Sequence, residues 1–297
     1  MSEVRVAGER PAALFWAEFA ESRLALAGLS VFLLAVFAAI FAPWLTPQNP
    51  YDQATLSLMD ARLPPGTVGS GGYVHWLGTD AAGRDLFSAI LWGLRTSLFV
   101  GVAAGAAALA LGTVLGLAAA FFGGRLELVL MRIVDLQLSF PAILLALVLV
   151  ASLGQGLAQV VAALIAAQYA YFARTVHGAA LAERRKEYIE AAAGIPLRPA
   201  RILLRHLLPN CLPPLIVVAT VQVANAIAIE ATLSFLGVGL PVTEPSLGTL
   251  IANGFQFMLS GRYWISVYPG IALLIVIVSI NLVGDRLRDV LNPRLRR

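Results

Sequence analysis

Few residues in this chain are of types that do chemistry, and their spacing restricts what that chemistry is. Asp80, Arg84 and Asp85 set two carboxylates beside a guanidinium. Paired carboxylates serve acid–base work, but no nucleophile or metal-ligand pattern stands near them. A hydrogen-bonded turn ahead of a helix fits this spacing better. His75, His177 and His206 are far apart in sequence, and Cys211 is the only cysteine, so neither a metal-ligand spacing nor an intrachain disulfide is available. Lys186, the single lysine, follows no G-x-x-x-x-G run. A phosphate-cradling loop is therefore excluded. No residue is assigned as catalytic or as a metal ligand. Any ATP that this protein's work consumes must be bound by another chain.

The elements that position these residues are set by hydropathy. Of 297 residues, 59% are hydrophobic and 13% charged, with mean hydropathy +0.81. Soluble domains carry about 25% charged residues, so most of this surface faces lipid. The net charge of +4 comes almost wholly from Arg beside apolar runs. That is a pattern of membrane anchoring, not of nucleic-acid binding. A span needs about 20 mainly apolar residues in a helix. Residues 24–45, 96–124, 133–152, 157–173, 207–229 and 264–284 qualify, the third and fourth being parted by Leu153-Gly154-Gln155-Gly156. The first run exceeds the ~7–15-residue core of a signal peptide and reads as an uncleaved anchor.

With the N-terminus inside, seventeen Arg and Lys fall on the cytoplasmic side, against Arg62, Arg84, Arg95 and Arg262 outside. Both termini are expected in the cytoplasm. The loop over 46–95 then faces outward, and its Leu63-Pro64-Pro65-Gly66 and Gly69-Ser70-Gly71-Gly72 predict an irregular middle. The expected fold class is an all-α polytopic membrane protein with six transmembrane helices, N-in and C-in. Gly101, Gly105, Gly112 and Gly116 form two small-xxx-small pairs in the second span, a spacing for close helix packing.

Glu230 falls near the outer end of the fifth span. A charged group at the bilayer centre costs about 2.5–3.5 kcal/mol or more, so it must face protein or a water-filled path. Two readings stand. It contacts a cationic substrate group or an outer gate, or it is a structural cap held by an Arg or by backbone hydrogen bonds. Gln222 shares its helix face more nearly than Asn225 does, and both are candidates for the translocation pathway. Polar side chains also bridge neighbouring helices.

Between the fourth and fifth spans lies EYIEAAAGIPLRPARILLRHLLPN, residues 187–210. Read as a helix over 179–193, it aligns Glu183, Glu187 and Glu190 in an acidic stripe. Ala191 and Ala192 then offer a smooth surface for close approach. Gly194 can end that helix in the left-handed conformation, and Pro196 prevents its continuation. Pro199 suits the first turn of a second helix. Arg198, Arg201 and Arg205 line one face of it, with Ile202, Leu203 and Leu207 turned away. Pro209, Pro213 and Pro214 mark entry into the fifth span. Such a segment either rests its Arg face on anionic headgroups or docks, as a rigid knob, into a cytoplasmic partner.

Glu187-Tyr188, Glu190-Ala191-Ala192, Arg201-Ile202 and Arg205-His206-Leu207-Leu208-Pro209-Asn210 resemble the EAA loop of membrane subunits of ATP-binding-cassette importers. The branch most similar handles dipeptides, oligopeptides and nickel complexes. Four further stretches extend the resemblance from His75 onward. They are His75-Trp76-Leu77-Gly78-Thr79-Asp80 with Gly83-Arg84-Asp85; Met131-Arg132-Ile133-Val134-Asp135; Glu230-Ala231 with Leu233-Ser234-Phe235-Leu236-Gly237-Val238-Gly239; and Gly284-Asp285-Arg286-Leu287-Arg288-Asp289 with Asn292-Pro293. One position departs: Pro196 stands where that family usually has Gly.

The resemblance implies a type I importer permease fold in a bacterial-type cytoplasmic membrane. Residues 1–95 would hold the first span and outer loop, and 96–297 the permease domain, with a coupling loop at about 175–211. Glu187, Glu190, Ala191, Ala192, Gly194, Pro196 and Arg201 are its implied coupling residues. The implied partners are a homologous permease subunit, two cytoplasmic ATPase subunits that hold ATP and Mg, and an extracytoplasmic solute-binding protein. This chain itself would bind no cofactor. Peptides lead among the implied solutes, with nickel chelates and glutathione open. The alternative, a stand-alone secondary transporter or channel, calls for a charged midplane site on broken helices, and the spans hold few ionisable residues.

Overall fold

The computed structural model describes residues 11–52, 54, 56–187 and 199–291. Two helices, α1 (Pro11–Ala20) and α2 (Arg23–Ile40), open the chain, with Ser22 capping α2 through its hydroxyl. A short turn, α3 (Ala42–Leu45), ends the first apolar run at Pro43. The outer loop is more ordered than its glycines and prolines imply. Thr67–Val68 (β1) and Val74–His75 (β2) form a two-residue antiparallel ribbon in register Thr67↔His75, and Gly69-Ser70-Gly71-Gly72 is its turn. The Asp60 carboxylate accepts from the Ser70 N–H at 2.8 Å and from its hydroxyl at 2.5 Å, which holds the ribbon onto the preceding turn.

The main body is helical: α4 (Leu86–Phe122), α5 (Gly124–Leu138), α6 (Ala142–Leu153), α7 (Leu157–Arg184), α8 (Pro199–Ile202), α9 (Leu208–Phe235), α10 (Leu247–Phe255) and α11 (Trp264–Leu291). Among the described residues, five helices are long and apolar enough to cross a membrane: α2, α4, α7, α9 with the turn before it, and α11. The expected third span over 133–152 is not one helix. Its residues belong to α5 and α6, which meet at a 92° bend, so a count of six holds only if that pair is one span. Pro141 is the cause. It has no N–H to continue the ladder, its own ψ of 126° is extended, and a proline disfavours the helical region for the residue before it. The Gly154-to-Gly156 break does separate α6 from α7, with Gly154 at φ 89°.

α4 packs most extensively against α7. A Cβ at Gly112 would stand 2.4 Å from the Tyr169 carbonyl oxygen and 2.6 Å from the Phe172 Cβ, and one at Gly116 would stand 2.5 Å from the Ala173 carbonyl oxygen. Gly101 and Gly105 instead receive Ile227 and Val223 of α9. The four glycines thus serve two partners, the first pair α9 and the second α7. Ser279 and Leu282 of α11 meet Gly28 of α2 in the same way.

The turn Leu203–Leu207 is one wide π-helical turn, in which the Leu208 N–H reaches back to the Leu203 carbonyl. Pro209 follows at once. It lacks the N–H that an α-helical bond to Arg205 requires, and the wider turn makes room for its ring.

Gly112→Val is expected to cost at least the ~1–3 kcal/mol typical of overpacking, read as a lower unfolding midpoint in detergent. Gly178→Ala, where an added Cβ meets nothing within 4 Å, is the matched control and is expected to leave the midpoint unchanged or slightly raised.

Candidate functional site

The predicted coupling segment stands on a packed base. α7 continues unbroken to Arg184, whose Nη1 donates to the Ala120 carbonyl at 2.8 Å. The expected helix over 179–193 is therefore not separate from the fourth span. A turn at Arg185 and Lys186 follows α7, and it removes Glu183 from any stripe with Glu187. Glu183 is buried and pairs with Lys186 at 2.7 Å, whereas Glu187 is exposed. Glu190, Ala191, Ala192, Gly194 and Pro196 lie outside the described residues.

Beyond them, α8 starts at Pro199 as its fixed φ favours. Arg201 and Arg205 are exposed, while Ile202 and Leu207 are buried. Leu207 joins Phe172, Val176, Ala180, Leu117 and Cys211 in one cluster. Both roots of the segment are thus seated in the same apolar core at the ends of α4 and α7. α5 is tied to this base as well. Glu127 meets His177 Nε2 at 2.8 Å, and Arg174 donates to Asp135 at 2.7 Å.

The polar residues of α9 part company. Gln222 and Asn225 line a cavity of about 290 Å³ between α6, α7 and α9, with Gln168, Tyr171 and Thr232. The Asn225 amide donates to Gln222 Oε1 at 2.9 Å, and Gln168 Nε2 donates to the Gln222 backbone carbonyl at 3.3 Å. A larger cavity, about 390 Å³, has an almost wholly apolar lining that includes Phe32, Leu109, Leu212 and Val283.

Glu230 faces α4 and is fully buried. The Ser97 hydroxyl donates to one carboxylate oxygen at 2.9 Å and the Ser234 hydroxyl to the other at 2.8 Å. Ser97 Oγ also accepts from the Leu247 N–H at 3.4 Å. The Glu230 carboxylate is thus held by serine hydroxyls, not by an Arg or by backbone N–H groups, and the cluster joins α4, α9 and α10.

The Asp80–Asp85 stretch forms the hydrogen-bonded turn that its spacing implies. Asp85 caps α4 through the Ser88 N–H at 2.8 Å and meets His75 Nδ1 at 2.9 Å. Asp80 accepts from the Ala82 and Arg84 N–H groups at 2.8 and 2.9 Å. Burial holds the Asp80 carboxyl above its ordinary range, against these hydrogen bonds and the Arg84 charge. Among the described residues no group of three or more His, Cys, Asp or Glu side chains is placed to hold a metal ion.

Sequence reasoning passed over Gln168 and Ser97. Each had a signal: Gln168 is an amide inside an uncharged apolar run, and Ser97 lies at the predicted start of one.

Comparison with known proteins places the chain. The family described as "Binding-protein-dependent transport system inner membrane component" matches residues 112–297. The chain belongs to this family. The "N-terminal TM domain of oligopeptide transport permease C" matches residues 10–65 of the permease. A putative peptide transport system permease protein of Brucella suis is 42% identical over 91% of this chain and 87% of its own length. The di/tripeptide transport system permease protein DppC of Pseudomonas aeruginosa is 37% identical, over 95% of this chain and 92% of its own. For the dipeptide transport system permease protein DppC of Haemophilus influenzae the values are 35%, 98% and 97%. A structure of the MetNI methionine ABC transporter in an inward-facing conformation covers 69% of this permease and 96% of its own chain, with TM-score 0.56 and 21% identity. The fold is therefore that of importer permeases, and the protein is a multi-pass inner-membrane protein.

Glu230→Leu is expected to strand the Ser97 and Ser234 hydroxyls and to lose about 1–3 kcal/mol of stability, seen as a lower unfolding midpoint. Glu230→Gln keeps an acceptor and is expected to lose less.

Proposed function

We propose that this permease subunit carries peptides into the cell, driven by two separate ATPase subunits and supplied by an extracytoplasmic solute-binding protein. The observation that carries this reading is the likeness to permeases named for peptide, dipeptide and di/tripeptide transport, which extends over nine-tenths or more of the chain. Both termini lie in the cytoplasm in this reading, as seventeen of the 21 Arg and Lys residues favour. A homologous permease completes the pore. Residues 1–95 anchor the chain and present the outer ribbon, and 96–297 form the transporting part.

The segment at about 175–211 takes up the force. In this reading, Glu187, Glu190, Ala191, Ala192, Gly194, Pro196 and Arg201 form or shape the surface that an ATPase subunit grips. Small side chains at Ala191 and Ala192 let the two surfaces close, and bulk there would hold them apart. A lever must also be stiff, because a yielding root would dissipate the stroke. Stiffness is supported by Arg184 on Ala120, by His177 on Glu127, and by Leu207 sunk into the α4–α7 core. Closure of the ATPases on ATP then rocks the spans between outward and inward openings. Gln222 and Asn225 line the path. Glu230 holds the outer ends of α4, α9 and α10 together while they move.

Ala191→Arg is the test. In proteoliposomes holding the whole transporter, the variant is expected to insert normally and to hydrolyse ATP while peptide uptake falls at least tenfold. Wild-type uptake by this variant would remove the lever from the account.

A further inference from the structure

We propose that the cavity at Gln168, Gln222 and Asn225 recognises the backbone amide of a peptide in transit, by hydrogen bonds and not by charge. This rests on the reading of the chain as a peptide permease and adds the group recognised and the residues that read it.

Three observations converge. First, no Asp, Glu, Lys or Arg lines this cavity of about 290 Å³; its polar groups are three side-chain amides, a tyrosine and a threonine. Glu230, the nearest acidic residue along α9, is turned to Ser97 and Ser234. A cationic chelate would therefore meet no counter-charge here.

Second, Gln168 is fully buried, and its Oε1 has no hydrogen-bond partner among the described residues. A buried acceptor left unmade is costly, and a guest that enters and opens the cavity would complete it. Its orientation is fixed by the bond from Nε2 to the Gln222 carbonyl.

Third, the bonds already made leave an alternating set. Asn225 donates to Gln222 Oε1, so Gln222 retains its amide donors and Asn225 its Oδ1 acceptor. With Gln168 Oε1, the cavity offers acceptor, donor, acceptor. A peptide unit carries one N–H and one C=O on opposite sides, and that set can take both, whatever side chain comes next. Both Gln168 and Gln222 lie near the middle of their helices, α7 and α9, so the contact falls deep within the spans. Recognition of this kind passes many peptides and rejects a solute with no amide N–H.

The test uses proteoliposomes with the complete transporter: this chain, its partner permease, both ATPase subunits and the binding protein. Uptake of alanyl-alanine is compared with uptake of the analogue N-methylated at its peptide nitrogen, with the binding protein saturated by each. The wild type is expected to move alanyl-alanine about tenfold faster. Gln168→Leu is expected to erase that preference by slowing alanyl-alanine alone. Asn225→Leu, at an exposed position, is expected to slow alanyl-alanine severalfold and the N-methylated analogue less, and it decides the matter if Gln168→Leu does not insert. Equal slowing of both peptides by Gln168→Leu would make its role structural and overturn the proposal. So would unchanged rates in both variants. A wild-type complex that moves neither dipeptide would instead overturn the peptide-permease reading, and this proposal with it.

Discussion

In lipid, helices gain nothing by hiding apolar surface from water, so they hold together only where their shapes allow close contact. The contact of α4 with α7 is the one on which this permease depends. Gly112 and Gly116 remove two side chains from α4, and the α7 backbone enters the space, with Tyr169 and Ala173 carbonyl oxygens where Cβ atoms would otherwise stand. α7 then carries three features at fixed positions along its length. Gln168 faces the polar cavity, His177 meets α5, and Arg184 reaches the Ala120 carbonyl. One steric seat therefore fixes both the Gln168 side of the polar cavity and the point where α7 ends at Arg184. In the proposed mechanism a force applied at the coupling segment would move α7, and α4 with it.

The polar residues follow from the same economy. A membrane interior tolerates a polar group only where it is paired or where it works. Glu230 is paired with two serine hydroxyls, and the Asp80 and Asp85 carboxylates accept from the backbone N–H groups around them. Among the described residues of the spans, Gln168 Oε1 is left unpaired, as are Trp264 Nε1 and Arg286 Nε at the two ends of α11; Gln168 is the one of these that lines the polar cavity. The residues that bind Glu230 into the fold and the amides that line the cavity are thus separate sets.

Much of this arrangement was legible in the sequence. Hydropathy located every long helix, because a span must be apolar along its whole length. The paired glycines announced close packing, and the Asp80–Asp85 spacing announced a turn ahead of a helix. That helix starts at Leu86, directly after its Asp85 cap, and not at the expected 96, because residues 86–95 are less uniformly apolar than the run that follows. Features set by backbone geometry were less visible. The bend at Ser139-Phe140-Pro141 lies inside an apolar run, and a hydropathy window cannot register a change of direction. The ribbon at Thr67–Val68 and Val74–His75 is held by Asp60 reaching Ser70, a contact between residues that no periodicity connects. The division of Gln222 and Asn225 from Glu230 depended on where α7 and α4 sit around α9, which only packing decides. The helix through Glu183 misled because α-helical spacing continues across the turn at Arg185 and Lys186.

In the proposed mechanism this chain provides a path and a lever but no engine. The direct measurement is peptide flux into liposomes that hold the two permease subunits, with and without the ATPase subunits and the binding protein. On this mechanism the permeases alone are expected to give no flux, and flux is expected to depend on ATP once the other components are present. Full-rate uptake by the permeases alone, without ATPase or ATP, would contradict it.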